Sequence, residues 1–320
     1  MADMNALLQR LRQARKVAIF THQRPDPDAL GSQAAMAWIL ESLGAVEVYR
    51  MQFTDAPPPY RFLQQDVPGE TAVWGSEWAG SSGGIIDTIV LVDTCTYGQV
   101  EPAMGFLKAE RSKVVAVDHH VNREDVGPLI YADTSAAACV EILWELSRVA
   151  GLRPEGKVAE ALMAGLVTDT GWFRFDSVTA RTHEMAADLT PRVNVSGLYQ
   201  RLSQMESKSK LALMGRALAS LKTSFDDRFA CMVLRHKDFV ETAATQSQTE
   251  GLVDLPMSLA TVEVAALLTE MSDGRVRGSL RSKLALDVNK VCNIFDGGGH
   301  AKAAGCRFDG PIDAAVERLQ

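Results

Sequence analysis

The chain has 320 residues, 47% of them hydrophobic and 23% charged, with a formal net charge of −7. That length is too great for one ordinary core and makes two domains the natural expectation, while the composition is that of a soluble globular protein. The acidic balance excludes the global basic footprint of a protein that holds long duplex nucleic acid, and no apolar run approaches the roughly 20 residues of a membrane span.

The N-terminal MADMNALLQRLRQARK reads as an amphipathic helix with Leu7, Leu8 and Leu11 on one side, without the continuous apolar core of a signal peptide. VAIF then begins a strand that stops at Thr21-His22. The loop HQRPDPDALGS follows, held extended by Pro25 and Pro27, and opens a helix through Leu40. VEVY (46–49) is a second strand, Pro57-Pro58-Pro59 an exposed connection, and TAVW (71–74) a short edge strand. Ser81-Ser82-Gly83-Gly84 reads as loop. A buried strand over 88–92 ends at Asp93, and 103–111 is helical. Val114-Val115-Ala116-Val117 is the next buried strand and runs straight into Asp118-His119-His120. Ile130-Tyr131 is short and extended. Helices at about 137–149 and 154–167 follow, the second ending in Thr168-Asp169-Thr170-Gly171. Strand–helix alternation at this spacing predicts an α/β fold with a doubly wound, mostly parallel sheet over 1–187.

Residues 188–223 read as a helical linker. The remainder, 224–320, predicts a smaller α+β domain with a mixed sheet. Its elements are a strand at FACMVLR (229–235), a hairpin of 262–270 with 276–281 around Ser272-Asp273-Gly274, and a helix capped by Asp287. Gly297-Gly298-Gly299-His300 reads as a loop, 304–308 as a last strand, and Pro311 opens a closing helix. The active site is expected in the cleft between the two domains. Five cysteines (Cys95, Cys139, Cys231, Cys292, Cys306) show no CxxC spacing, which argues against a disulfide framework or zinc–thiolate site and for a reducing, cytoplasmic setting.

In open α/β sheets ligands bind beyond the carboxyl ends of the strands. His22, Asp26 and Asp28 follow the first strand, Asp93 a later one, Asp118-His119-His120 the next, and Asp169 leaves a helix end. Carboxylates and imidazoles without thiolate suit Mn²⁺ or Mg²⁺, and they are too many for one ion. Two ions sharing a bridging carboxylate would use them economically, the arrangement used for displacement at phosphorus. Each residue alone has an ordinary explanation as a helix cap or turn former; the constellation is the signal. Two further features suit a phosphate: Gly297-Gly298-Gly299-His300, where amides approach an anion without a Cβ in the way, and Arg281, as a bidentate clamp. Arg174, between Trp172, Phe173 and Phe175, suits a stacked base and its phosphate, although core packing explains the aromatics equally well.

With these residues in hand, the sequence resembles the DHH phosphoesterase superfamily. HQRPDPDALGS is similar to its first motif, Leu91-Val92-Asp93 to the second, Asp118-His119-His120 to the name motif and Thr168-Asp169-Thr170-Gly171 to the fourth. SLRS (279–282) and GGGH (297–300) resemble the DHH-associated C-terminal domain, and GLVTDTGWFRF is particularly similar to the nanoRNase/pAp-phosphatase branch. The resemblance implies two divalent ions, Mn²⁺ foremost and Mg²⁺ as the alternative. It places them on His22, Asp26, Asp28, Asp93, His119 and Asp169, with Asp93 bridging and catalytic, and His120 catalytic beside the scissile phosphate. Arg281, Ser282, Gly298, Gly299 and His300, with Arg174, are implied as substrate-binding. Three places depart from the pattern: Arg24 in the first loop, Ala136-Ala137-Ala138-Cys139 without the usual hydroxyls, and Asp296 where many relatives have another glycine.

The activity so implied is hydrolysis of very short oligoribonucleotides to mononucleotides, removal of the 3′-phosphate of 3′-phosphoadenosine 5′-phosphate (pAp), or both. No long duplex and no membrane is expected as partner, and a homodimer is compatible with the sequence. The competing readings are a cyclic-dinucleotide or linear-dinucleotide phosphodiesterase, an inorganic pyrophosphatase, a processive exonuclease and, from another class, a nucleotide-binding module without catalysis.

Overall fold

The computed structural model of the protein describes residues 3–75, 78, 86–283 and 286–319; the expected loop at Ser81-Ser82-Gly83-Gly84 lies outside them. The chain divides into two units, Met1–Met205 and Glu206–Gln320. No helix of the described residues is long and apolar enough to cross a membrane.

The first unit carries, in chain order, α1 (Met4–Leu11), β1 (Lys16–Phe20), α2 (Pro27–Ser42), β2 (Glu47–Gln52), β3 (Glu70–Val73), β4 (Thr88–Val92) and α3 (Met104–Ala109). After these come β5 (Val114–Asp118), β6 (Leu129–Ala132), α4 (Cys139–Val149), α5 (Gly156–Asp169), α6 (Ala180–Leu189) and α7 (Val195–Ser203). The strands form one sheet in the order β3-β2-β1-β4-β5-β6, and every neighbouring pair is parallel. β4 and β5 are buried along their whole length, as expected of parallel strands covered on both faces. Successive side chains alternate between the two cores. Val17 and Ile19 join Val90, Val92, Val115 and Val117 on one face. Ala18 and Phe20 join Ile89, Leu91, Val114 and Ala116 on the other. The doubly wound architecture follows from that two-sided burial. Leu7, Leu8 and Leu11 are the buried stripe of α1, as its periodicity predicts.

α2 is buried along most of its length, and it runs very close to α5. A Cβ on Gly31 would lie 2.5 Å from the carbonyl oxygen of Ala161, and one on Gly165 would lie 2.9 Å from Asp28 Oδ1. Gly31→Ala is therefore expected to force the helices apart at a cost of about 1–3 kcal/mol, seen as a melting temperature several degrees below wild type. An unchanged melting temperature would show that the contact tolerates a methyl group.

The second unit comprises α8 (Lys208–Ala219), β7 (Lys222–Ser224), β8 (Phe229–Leu234), α9 (His236–Thr242), β9 (Val264–Glu270) and β10 (Val276–Ser282). α10 (Val288–Asn293), β11 (Gly298–His300), β12 (Ala303–Phe308) and α11 (Ile312–Leu319) complete it. Its sheet runs β11-β12-β10-β9-β8-β7. β8 and β9 pair parallel and the other neighbours antiparallel, so the sheet is mixed. The β9–β10 hairpin turns through Gly274 at φ 82°, and Asp287 caps α10 by accepting the N–H groups of Asn289 and Lys290.

Two features differ from expectation. The segment 188–223 is not a free-standing linker; its halves belong to different cores. Leu198 of α7 is buried with the first unit's helices, and Asp188 accepts the indole N–H of Trp144 at 2.9 Å. Leu213 and Ala217 of α8 pack instead with Met232 and Phe239. The apolar positions in that polar stretch are few, and each finds its own core. The GGGH segment, expected as a loop, is the edge strand β11, antiparallel to β12. Its glycines serve close approach, since a Cβ on Gly297 would lie 2.2 Å from the carbonyl oxygen of Gly305.

Candidate functional site

Strand order in the first sheet reverses between β1 and β4, the kind of switch point beyond whose strand ends open α/β sheets bind ligands. His22 lies just past β1, Asp93 directly past β4, and Asp118 ends β5 with His119 next. Asp26 is the N-cap of α2, accepting the N–H of Ala29 at 3.0 Å, and Asp28 sits in that helix's first turn. Asp169 is the last residue of α5. The glycine-mediated contact of α2 with α5 is what carries Asp28 and Asp169 to the same place.

Three groups of ligand atoms result, the atoms of each group lying within 4.8 Å of one another: His22, Asp26 and Asp93; Asp28, His119 and Asp169; and Asp93, His119 and His120. All six residues expected as metal ligands are among them, and Asp93 and His119 each occur twice. His119 Nε2 lies 3.9 Å from Asp28 Oδ2, 3.5 Å from Asp93 Oδ1 and 3.4 Å from Asp169 Oδ2. His22 Nε2 lies 3.5 Å from Asp93 Oδ2. These gaps are long for hydrogen bonds. They suit donors that would each stand about 2.0–2.2 Å from a shared cation.

The unsatisfied atoms point the same way. Asp93 Oδ1 and His119 Nε2 are buried with no hydrogen-bond partner. His119 Nδ1 faces the carbonyl oxygen of Ala136 at 3.4 Å, so the ring's other nitrogen is turned into the cluster, the usual geometry of a metal-ligating histidine. Asp93 also holds φ at 58°, a left-handed backbone that a structure maintains at a functional position. The donor set fits a divalent cation.

Electrostatics agree with the geometry. Burial, then the charges of Asp28, Asp26 and Asp169, push the Asp93 carboxyl well above the usual carboxylate range. Burial, reinforced by Asp28 and Asp26, raises Asp169 to about 9. Asp28 is raised to about 7 by burial and Asp26, against the two backbone N–H groups it accepts. Burial lowers His22 and His119, favouring the neutral imidazole that ligates metals. Crowded carboxylates and neutral imidazoles ask for positive charge.

Asp28 has a second task. It accepts the N–H of Cys139 at 2.7 Å and of Val140 at 2.9 Å, capping α4 from a distant segment. Glu141, fully buried, takes the N–H of Ala137 at 2.6 Å and meets Arg181 Nε at 3.2 Å. Those two carboxylates satisfy the backbone N–H groups of Ala137, Cys139 and Val140.

Asp118 is the residue sequence reasoning left without a role. Its Oδ1 accepts the N–H of His119 at 2.8 Å and of His120 at 3.2 Å, and meets His120 Nδ1 at 2.7 Å. It thereby fixes both histidines, and its hydrogen bond raises the pKa of His120, which stays 46% exposed. The signal was available, since a carboxylate at a strand end is placed to order the next two residues.

Past Asp169, Gly171, Trp172 and Phe173 all take positive φ (53°, 57° and 63°). Trp172 packs edge-on against Tyr199, and Phe173 stacks on His183. Phe175 remains 53% exposed. Arg174 Nε donates to the carbonyl oxygen of Gly171 at 2.6 Å. Of the expected aromatic interleave, Trp172 and Phe173 serve packing and Phe175 is left open.

The second unit holds a groove of about 640 Å³ whose lining includes Arg277, Arg281, Arg307, Asp296 and Gly298. Arg281 Nε meets Asp254 Oδ1 at 3.1 Å. Gly299 and His300 continue the exposed edge strand beyond Gly298. Ser282, expected to contact substrate, is on the inward face instead: β10 alternates strictly, and the Ser282 Oγ is buried without a partner. Arg277 and Arg307 were missed, although period two from Arg281 marks Arg277.

Comparison with known proteins completes the picture. Residues 16–166 match the DHH family, N-terminal domain, and residues 227–320 match the DHHA1 domain. The chain is 26% identical to a probable bifunctional oligoribonuclease and PAP phosphatase of Streptococcus mutans, over 95% of this chain and 93% of the relative. It is 29% identical to the bifunctional oligoribonuclease and PAP phosphatase of Thermus thermophilus, over 95% and 87%. Its fold is similar to the crystal structure of an exopolyphosphatase-related protein from Bacteroides fragilis, with TM-score 0.81 and 22% identity, over 98% of this chain and 93% of that one.

Proposed function

We propose that this chain, a DHH phosphoesterase built of a DHH N-terminal domain and a DHHA1 domain, hydrolyses very short oligoribonucleotides to mononucleotides and removes the 3′-phosphate of pAp. The observation that carries the reading is the interlocked set of ligand groups at the sheet's switch point, with Asp93 common to two of them. The relatives named for both activities, matched along nearly their whole length, support the choice of substrate.

In this reading His22, Asp26 and Asp93 would hold one divalent ion and Asp28, His119 and Asp169 the other, with Asp93 and His119 standing where the ligand groups overlap. Mn²⁺ is the ion this oxygen and nitrogen donor set favours, with Mg²⁺ the alternative. Divalent ions held there would supply Lewis acidity, lowering the pKa of an attacking water and offsetting charge on the phosphoryl oxygens. Asp118 holds His120 by Nδ1; His120 then donates its proton to the leaving oxygen. Arg174 and the exposed Phe175 would hold a phosphate and a base in this reading. In the DHHA1 unit, Arg281 and the strand Gly298–His300 would supply a phosphate-binding surface. The five free, buried cysteines support a reducing, cytoplasmic setting.

The test is turnover of purified protein with Mn²⁺ on di- to pentaribonucleotides, pAp and cyclic di-AMP. Mononucleotide release from the shortest chains and phosphate release from pAp are expected, with cyclic di-AMP the poorest substrate. Hydrolysis that survives exhaustive chelation would overturn the metal assignment, and preference for cyclic di-AMP the substrate assignment. Metal should also stabilise the protein directly. At about a hundredfold excess over its dissociation constant, each site is expected to add about 2.7 kcal/mol. Thermal melting with Mn²⁺ and with EDTA measures this, and coincident curves would exclude a metal site in the folded state.

A further inference from the structure

β10 alternates strictly between faces, so Arg277, Ser279 and Arg281 share the side that opens on the second unit's groove. In the antiparallel register with β12, Arg277 stands directly opposite Arg307, Ser279 opposite Gly305 and Arg281 opposite Ala303. Like charges directly opposite one another in a sheet repel. Arg281 is matched by Asp254 at 3.1 Å. Among the described residues no acidic side chain pairs with Arg277 or Arg307, although Glu250 and Asp296 also line the groove. Arg277 Nη2 donates to Thr249 Oγ1 at 2.6 Å, while its Nε is buried with no partner. A repelling, unneutralised pair with an idle buried donor is an unfavourable arrangement that a bound anion resolves.

The two ends of the groove are also separated along the strand. The Cα atoms of Arg277 and Arg281, four residues apart on one strand, are about 13 Å apart, a spacing that suits two phosphates of one strand. Between them Ser279 faces Gly305, a stretch of floor carrying one small hydroxyl side chain and open to a sugar or base. We propose that the Arg277–Arg307 pair is a second phosphate site, distinct from the Arg281 end, so that this unit by itself takes two phosphates of one short oligonucleotide strand. The inference rests on the oligonucleotide reading given above and names what distinguishes an oligonucleotide from a mononucleotide at this groove.

The experiment is calorimetric binding of 5′-phosphorylated triuridylate and of UMP to the full chain in EDTA, at several salt concentrations, for wild type, Arg277→Ala and Arg307→Gln. Each substitution is expected to weaken the trinucleotide about tenfold or more and to reduce its salt slope by about one. UMP, held at the Arg281 end, should change no more than about twofold, within the range left when a remote contact is lost. Arg307 is exposed, so Arg307→Gln keeps the test alive even if Arg277→Ala folds poorly. Trinucleotide binding at wild-type affinity and slope in the variants overturns the proposal, as does equal weakening of UMP. Because no turnover occurs in EDTA, a protein that binds through the pair but never hydrolyses would sink the catalytic reading and leave this one standing.

Discussion

Asp93→Asn is expected to reduce turnover of a short oligoribonucleotide by about a thousandfold, roughly 4 kcal/mol of transition-state stabilisation, without unfolding the protein. Asparagine is the proper substitute because, like aspartate, it tolerates the positive φ found here. Removing the charge deprives two ligand groups of their shared member. The same change should help the metal-free fold. The Asp93 carboxyl is buried among Asp28, Asp26 and Asp169 and its pKa is raised, so the native state binds its proton more tightly than the unfolded chain does. For a raised carboxylate the penalty grows as pH climbs above the ordinary aspartate value of about 4. In EDTA, Asp93→Asn is therefore expected to melt above wild type, by a margin that widens as the pH rises above that value. Activity within tenfold of wild type would remove Asp93 from the catalytic centre. A variant that melts well below wild type in EDTA would instead make it a structural residue.

Asp28→Ala should behave in the opposite sense. Asp28 is fully buried and caps α4 through the N–H groups of Cys139 and Val140. Truncation leaves both donors without an acceptor inside the protein. Each hydrogen bond to a charged acceptor contributes about 1.5–3 kcal/mol, and the relief of desolvating Asp28 offsets part of the sum. A net loss of about 2–4 kcal/mol is expected, measured by denaturant unfolding in EDTA so that metal binding makes no contribution. Activity should fall as well, because α4 and the segment before it hold Ala136, whose carbonyl oxygen faces His119. Wild-type stability of Asp28→Ala in EDTA would show that the capping bonds are dispensable and that the residue acts only through metal. The pair of variants thus separates a carboxylate kept for function at a cost to the fold from one that serves both.

Much of this molecule is readable from its residues one at a time. The runs at 89–92 and 114–117 are apolar throughout, as suits a strand covered on both faces, and each stops at a carboxylate. The resemblance to the DHH superfamily tied six separated residues to two ions, and the folded chain brings ligand atoms of all six together. Other features left a signal that went unused. Period two from Arg281 already put Ser282 on the inward face and Arg277 on the open one. The boundary near residue 205 had weaker marks: Leu198, Leu213 and Ala217 are scattered apolar positions, and nothing local says which core each will join.

The amino-acid sequence by itself determined where strands end and which polar groups are delivered there, because strand termination depends on neighbours along the chain. Only the tertiary structure decided that Asp28 would cap α4, that Gly31 and Gly165 would let two helices touch, that Gly298–His300 would be an edge strand, and that Arg277 would face Arg307. Those outcomes rest on hydrogen bonds and close contacts between distant segments, and such pairings acquire their energy only when the intervening chain has already found its place.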